Sequence, residues 1–128
     1  MVVRPYKTED YETIRKWWKA RADFDFTEGI LPLTAFVSYT EDTDVAAAFM
    51  YLTDTDLAIL TWIVGNPDIS FELRDEGIRD AIKSCVELAD NAGVKVICGM
   101  TSHEGLCQKF KREDFTYAEQ VSHLYRSL

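Results

Sequence analysis

Residues 60–85 read LTWIVGNPDISFELRDEGIRDAIKSC and contain the signals that decide the fold. The apolar run at the start predicts a buried β-strand, which Gly65-Asn66-Pro67 interrupts. The apolar residues that follow recur at helical spacing, which predicts an amphipathic helix over about 73–92 that ends at Gly93. The next segment, Val94 to Met100, is again mostly apolar. A strand, a crossover helix and a second strand predict a right-handed βαβ unit whose two strands are parallel.

Three strand candidates precede this unit and are separated by short acidic turns, which is typical of an antiparallel meander. They cover residues 34–39, 45–52 and 57–64. The last of the three is apolar at nearly every position, so we expect it to lie inside the sheet, covered on both faces.

Elements at both ends of the chain complete the prediction. They are a short strand at Val2-Val3, a first helix that runs to about Ala22, a loop from Ala22 to Leu33, a short helix capped by Ser102, and closing strands at 116–120 and 121–125. The sequence therefore predicts one α/β (α+β) domain over residues 1–128. Its sheet is mixed and mostly antiparallel, with about six or seven strands and helices on both faces.

Composition excludes several classes of function. The formal net charge is −8, so long-range electrostatics oppose binding to nucleic acid or to an anionic membrane. No apolar run is long enough to cross a bilayer, and the first residues lack the pattern of a signal peptide, so we expect a cytoplasmic protein. Cys85, Cys98 and Cys107 have no metal-ligand spacing. We expect no metal site and read these cysteines as reduced, mostly buried side chains.

The order of elements, together with the residues of the opening stretch, resembles the GNAT N-acetyltransferase superfamily over most of the chain. Members of that superfamily bind acetyl-CoA in a V-shaped split between the fourth and fifth strands. The chain also resembles a group of short GNAT-like proteins often encoded by phages and prophages. The matching runs are Leu31-Pro32, Ala35-Phe36-Val37, Val45 to Asp54, Trp62 to Pro67, and Ser122-His123-Leu124.

The resemblance implies acetyl-CoA as co-substrate and indicates where it binds. Superfamily members hold the diphosphate with backbone N–H groups of a Gln/Arg-x-x-Gly-x-Gly/Ala loop before the long helix. Here Arg74 and Gly77 match that pattern, but Arg79 stands where the last small residue is usual. The Arg79 side chain would either crowd out the diphosphate or reach it as a bidentate donor. The implied cofactor-binding residues are Trp62, Ile63, Val64, Arg74, Gly77, Ile78 and Arg79.

The catalytic residues usual in the superfamily are missing. A tyrosine commonly precedes a Gly-Phe pair by five residues, and the matching stretch here is Phe110 to Phe115, with Asp114 in place of the glycine. The acidic residue that is frequent on the fourth strand has no match here, because Thr61 lies in that neighbourhood. We take His103, Tyr117 and Thr61 as catalytic candidates; His123 is a second histidine that could titrate near neutral pH, and Tyr125 is a second phenol. Transfer can also proceed if the amine arrives neutral and water relays its proton.

Two functions follow from this reading. The first is an acetyl-CoA-dependent N-acetyltransferase whose acceptor is an amine on a small molecule or a protein. The alternative is a catalytically degenerate GNAT-fold protein that serves as a phage-encoded interaction module or binds acyl-CoA without turnover; a fold alone does not decide between them. A homodimer formed through the aromatic-rich tail is left open, and a phage-encoded protein would act in the host cytoplasm.

Overall fold

A computed structural model describes residues 1–23, 25–101, 103–122 and 124–128. The predicted helix cap at Ser102 and the candidate His123 lie outside the described residues. In chain order the strands and α-helices are β1 (Val2–Pro5), α1 (Tyr11–Ala22), β2 (Ala35–Thr40), β3 (Thr43–Leu52), β4 (Leu57–Gly65), α2 (Phe71–Asn91), β5 (Val96–Gly99) and α3 (Glu104–Arg112).

The described strands form one sheet in the order β1-β2-β3-β4-β5. The first four are antiparallel neighbours, so the predicted meander is confirmed. Strand β5 lies parallel to β4, with Leu57 opposite Val96 and Leu60 opposite Gly99. The βαβ unit formed by β4, α2 and β5 is therefore confirmed as well.

Helices cover both faces of the sheet, as predicted. Along β3, Ala48 and Met50 belong to the core cluster that includes α2 and α3, whereas Ala47 and Phe49 belong to the cluster that includes α1. This alternation follows from the two-residue period of a strand. Among the cysteines, Cys85 is buried in the α2 cluster, but the expectation of burial is wrong for Cys98, which is exposed on edge strand β5.

Helix α2 begins two residues earlier than predicted. Ser70 is its N-cap, and the Ser70 hydroxyl accepts a hydrogen bond from the backbone N–H of Leu73 at 3.2 Å. At the other end Gly93 has a φ of +84°, and the N–H of Val94 bonds to the carbonyl of Ala89. This is the predicted glycine stop, in which only a residue without a side chain adopts the left-handed conformation at no steric cost.

Strand β4 carries one more residue than the strand opposite it. Ala47 pairs with Val64 and Phe49 pairs with Thr61, so two residues of β4 face one residue of β3. Trp62 lies in this bulge and has a φ of +54°. Beyond Leu60, whose carbonyl accepts a bond from the N–H of Met100, β4 continues without a partner in β5 among the described residues. The two strands therefore separate at the bulge.

The prediction of six or seven strands is wrong, because the described residues of the tail form none. In the segments 116–120 and 121–125 the described residues have an irregular backbone. Their apolar side chains stay in solvent: Tyr117 is 63% exposed and Leu124 is 90% exposed. Alternating residues predict a strand only where one face can be buried, and this tail buries none. In the described part of the chain no helix is long and apolar enough to cross a membrane.

Gly77 provides a test of the packing between α2 and the sheet. A Cβ at this position would lie 2.3 Å from Cγ1 of Val45 and 2.7 Å from Oγ of Ser38. Overpacking typically costs about 1–3 kcal/mol, and the better helix propensity of alanine returns at most about 1 kcal/mol. We therefore expect Gly77→Ala to lower the free energy of unfolding measured in urea.

The matched control is Gly29→Ala, because a Cβ on Gly29 meets no atom within 4 Å. It should leave the urea midpoint close to that of the unchanged protein. A Gly77→Ala protein as stable as this control would mean that the helix and the sheet are not packed as closely as described.

Candidate functional site

The separation of β4 from β5 opens a cavity of about 190 Å³. We call it the cationic cavity. The residues that line it come from α1, from the C-terminal half of β4, from the start of α2 and from α3: Arg21, Ile63, Val64, Gly65, Phe71, Arg74, Asp75, Ile78, His103, Leu106 and Lys109. Because α1 lies on one face of the sheet and α2 and α3 on the other, the opening connects the two faces.

Positive charge is concentrated in this cavity. Of the described residues that line it, Arg21, Arg74 and Lys109 are cationic and Asp75 is the sole carboxylate. The whole chain has a formal charge of −8, so the local excess of cations runs against the composition. A partly enclosed site of this kind favours an anionic ligand, since water screens the charges less than on the open surface.

The cation on α3 is held in place by an ion pair with α2. Lys109 is 8% exposed, and its Nζ lies 3.0 Å from Oδ1 of Asp75 and 5.7 Å from the centre of the Phe71 ring. Arg112 lies 3.5 Å from the other carboxylate oxygen. Burial alone would raise the pKa of Asp75, but the hydrogen bond from Lys109 and the charges of Lys109 and Arg112 outweigh burial and lower it. Asp75 is therefore ionised at neutral pH.

Arg74 shapes the loop between β4 and α2. Its Nη1 donates to the carbonyl oxygens of Asn66 and Ile69, both at 3.2 Å. The aliphatic part of the Arg74 side chain crosses Gly65, where a Cβ would come within 2.3 Å of Arg74 Cγ. Arg74 thus lines the cavity and also holds the loop beneath it.

The other residues predicted at the diphosphate lie deeper in α2 than the sequence indicates. The helix bonding begins with the N–H of Arg74, which donates to the carbonyl of Ser70, so the N–H of Gly77 falls within the helix. Ile78 lines the cavity, whereas Gly77 faces Val45 and the exposed side chain of Arg79 is not part of the lining. Their predicted contacts with a diphosphate stay predictions.

His103 lies at the start of α3 and lines the cationic cavity. Its pKa is lowered by burial and by the nearby charges of Arg21 and Lys109. The imidazole is therefore neutral at pH 7 and can accept a hydrogen bond or a proton.

A second cavity, of about 470 Å³, lies on the other side of the bulge. We call it the aromatic cavity. It is lined by the inner part of β4, by the end of β3 and by the tail: Tyr51, Ile59, Thr61, Trp62, Met100, Ser122, Leu124 and Tyr125. Thr61 and Trp62 face this cavity while Ile63 and Val64 face the cationic cavity, so one strand separates the two.

The structure does not bring the three catalytic candidates together. Thr61 lines the aromatic cavity, His103 lines the cationic cavity, and Tyr117 lines neither. Their roles stay predictions. Phe110, which stands where a tyrosine is usual, is buried and packs against Phe115 with ring centres 5.0 Å apart.

Sequence reasoning missed two cations of the site, Arg21 and Lys109. Arg21 lies near the end of the first helix among other cations, and nothing in the sequence places it near α3. Lys109 carried a usable signal, because it follows Leu106 by three residues on the apolar side of a short helix. A lysine on a core-facing position indicates a buried partner.

Comparisons with known proteins support the fold. The sequence matches no family model and no curated protein. Solved structures do match, among them a Mycobacterium tuberculosis protein in complex with CoA, with a TM-score of 0.77 and 16% identity over 97% of this chain and 76% of its own. The ribosomal-protein-S18-alanine N-acetyltransferase of Escherichia coli has a TM-score of 0.74 and 15% identity over 92% of this chain and 79% of its own.

An aminoglycoside acetyltransferase from an uncultured soil metagenomic sample is similar over nearly the full length of both proteins. It matches with a TM-score of 0.72 and 15% identity, covering 99% of this chain and 95% of its own. Identities this low establish a common fold and leave the chemistry to be argued from the site. The chain has the fold of the GNAT N-acetyltransferase superfamily.

Proposed function

We propose that this chain is an acetyl-CoA-dependent N-acetyltransferase that acts on an amine. The observation that carries the proposal is the cationic cavity at the point where β4 leaves β5. There β4 has left its described pairing with β5, and positive charge is in local excess. The similarity in fold to acetyltransferases, one of them specific for a ribosomal protein and one for aminoglycosides, supports an amine as acceptor.

The residues present suit the parts of a CoA thioester. We assign the pantetheine amides to the backbone of β4 at Trp62, Ile63 and Val64, in the stretch that follows the last residue paired with β5 in the described part of the chain. The diphosphate is anionic and suits Arg74 and Lys109, which line the cavity. We assign the diphosphate mainly to these side chains. Ile78 lines the cavity beside them, Gly77 packs against Val45, and Arg79 adds charge from outside the lining.

Acetyl transfer forms an amide bond between the acceptor nitrogen and the acetyl carbon and breaks the C–S bond of the thioester. The amine loses one proton and the sulfur leaves as the thiol of CoA. Thr61 offers a hydroxyl in the aromatic cavity, which we assign to the acceptor. None of the described residues that line the aromatic cavity is a histidine or a carboxylate, so we propose that the amine arrives neutral and that water takes its proton.

Cofactor binding is tested by neutralising one cation at a time. We expect Lys109→Gln to weaken acetyl-CoA binding by about tenfold, or ~1.4 kcal/mol, because it removes a charge-assisted contact inside the cavity. Arg79→Gln should cost less, since its exposed charge is screened by water. Isothermal titration calorimetry measures both dissociation constants. Lys83→Gln, an exposed charge on the same helix, is the control and should leave the affinity unchanged.

Other outcomes would change the assignment. A larger loss for Arg79→Gln than for Lys109→Gln would move the diphosphate out of the cavity, to the exposed side of α2. If the unchanged protein shows neither heat nor a thermal shift with millimolar acetyl-CoA, the acetyltransferase proposal fails. The alternative of a degenerate interaction module would then be pursued by capture of a partner.

The pH dependence of kcat/KM tests the route of the proton. If the amine must arrive neutral, log kcat/KM rises with a slope of one as pH approaches the amine pKa, which is about 10 for an alkylamine such as that of lysine. A histidine base gives a different profile: because the pKa of His103 is lowered, activity would fall only below about pH 6.5 and reach a plateau above it.

We expect the rising profile, and we expect His103→Gln to keep its shape. A plateau at neutral pH that disappears in His103→Gln would instead identify His103 as the base. The same measurement on Tyr117→Phe addresses the third candidate.

The proposal includes four further points: acetyl-CoA as the particular thioester, a phage origin, a cytoplasmic site of action and a homodimer. Analytical ultracentrifugation with and without acetyl-CoA measures the oligomeric state.

A further inference from the structure

The walls of the aromatic cavity carry information about the acceptor. Tyr51, Trp62 and Tyr125 contribute three aromatic rings, and Ile59, Met100 and Leu124 contribute apolar surface. In the described lining no side chain is a carboxylate. A polyamine or an aminoglycoside brings several ammonium groups, and each needs an anion or water when it enters a site. These walls do not supply the anions.

One wall of the cavity is rigid. The indole Nε1 of Trp62 donates to the hydroxyl of Tyr51 at 2.7 Å, and that hydroxyl donates to the carbonyl of Ile30 at 2.5 Å. The Trp62 ring also contacts Trp18 edge-on at 5.8 Å and Phe26 at 5.4 Å between centroids. A fixed aromatic surface binds a flat ring at little cost in conformational entropy.

The position of the cavity links it to the transfer reaction. Thr61 and Trp62 line it, and the next two residues of β4 line the cationic cavity. A thioester held along the split edge of β4 would present its acetyl group at the bulge, between the two cavities. A volume of about 470 Å³ falls in the range of sites that hold small organic molecules.

From this position and this lining, and resting on the proposed transferase function, we propose that the acceptor is a primary amine carried on an aromatic body. The ring stacks on the aromatic walls and the single nitrogen reaches the bulge. Aromatic faces attract a flat ring in offset-stacked or edge-on arrangements.

The test compares amines at saturating acetyl-CoA, with release of the CoA thiol as the readout. Phenethylamine and tyramine are the aromatic probes, and spermidine and kanamycin are the polycationic ones. We expect kcat/KM to be at least about tenfold higher for the aromatic probes, or ~1.4 kcal/mol. A preference for spermidine or kanamycin, or no turnover of either aromatic probe, overturns the proposal.

Variants of the exposed wall show where the ring binds. Tyr125 is 70% exposed, so its replacement should not disturb the core. Because an aromatic pair adds to binding beyond the area it buries, Tyr125→Ala should raise KM for phenethylamine by roughly twofold to tenfold, while Tyr125→Phe keeps it. Val121→Ala, an exposed tail position outside the lining, is the control. Equal effects of Tyr125→Ala and Val121→Ala would overturn the proposed ring site.

Titration of acetyl-CoA into the same variants separates the two proposals. Unchanged acetyl-CoA affinity together with a raised KM for phenethylamine supports the aromatic acceptor. If acetyl-CoA does not bind the unchanged protein, the proposed function fails and the acceptor proposal fails with it. If acetyl-CoA binds but spermidine is the better acceptor, the acceptor proposal alone is overturned.

Discussion

The extra residue in β4 is the constraint on which the candidate site depends. Two residues of β4 stand opposite one residue of β3, and Trp62 has a left-handed backbone within that bulge. A bulge bends and twists its own strand, so β4 turns away from β5 where the bulge begins. The cationic cavity lies on one side of the bulge, and the aromatic cavity lies on the other. A regular β4 would remain paired to β5 and would close the split.

A left-handed conformation at a bulky residue costs about 1–3 kcal/mol and persists only where the surroundings fix it. At Trp62 the side chain supplies that support. The indole donates to Tyr51 and packs on Trp18 and Phe26, so the residue with the strained backbone is itself held by a hydrogen bond and two ring contacts. A glycine at this position would remove the backbone strain but also these contacts. These aromatic contacts therefore stabilise the bulge, and with it the separation of β4 from β5.

Periodicity in the sequence predicted the elements that bury a continuous apolar face. The long helix, its glycine stop and the meander were readable because each repeats a pattern over several turns or strands. The bulge was not readable, because nearly every residue of β4 is apolar and an extra one leaves no gap in the alternation. The tail was misread for the opposite reason: residues such as Tyr117 and Leu124 have the composition of a strand but no surface to cover. Partners distant in sequence, such as Lys109 and Asp75, needed the fold.

Departures from the superfamily pattern divide into those that affect the backbone and those that affect the chemistry. Asp114 has a φ of +66° at the position where glycine is usual, so it keeps the left-handed end of α3 that glycine would provide. Gly77 is retained, and its close contact with Val45 explains why a small residue is needed there whether or not a diphosphate binds. Phe110 keeps the packing of a tyrosine without its phenol.

The positions of the superfamily pattern that determine the fold thus keep their packing or backbone role in this chain. The positions that in the superfamily serve proton transfer and diphosphate binding carry other residues here. Cations from α1 and α3 stand near the position where a glycine-rich loop would otherwise offer backbone donors. Side-chain cations bind a diphosphate through charge and reach, whereas backbone donors require close approach, so the proposed binding mode is compatible with a charged residue such as Arg79 in the loop pattern. For proton transfer, the described lining of the aromatic cavity, our proposed acceptor site, offers neither a histidine nor a carboxylate. That asymmetry is why affinity for the thioester and the rate of transfer must be measured separately.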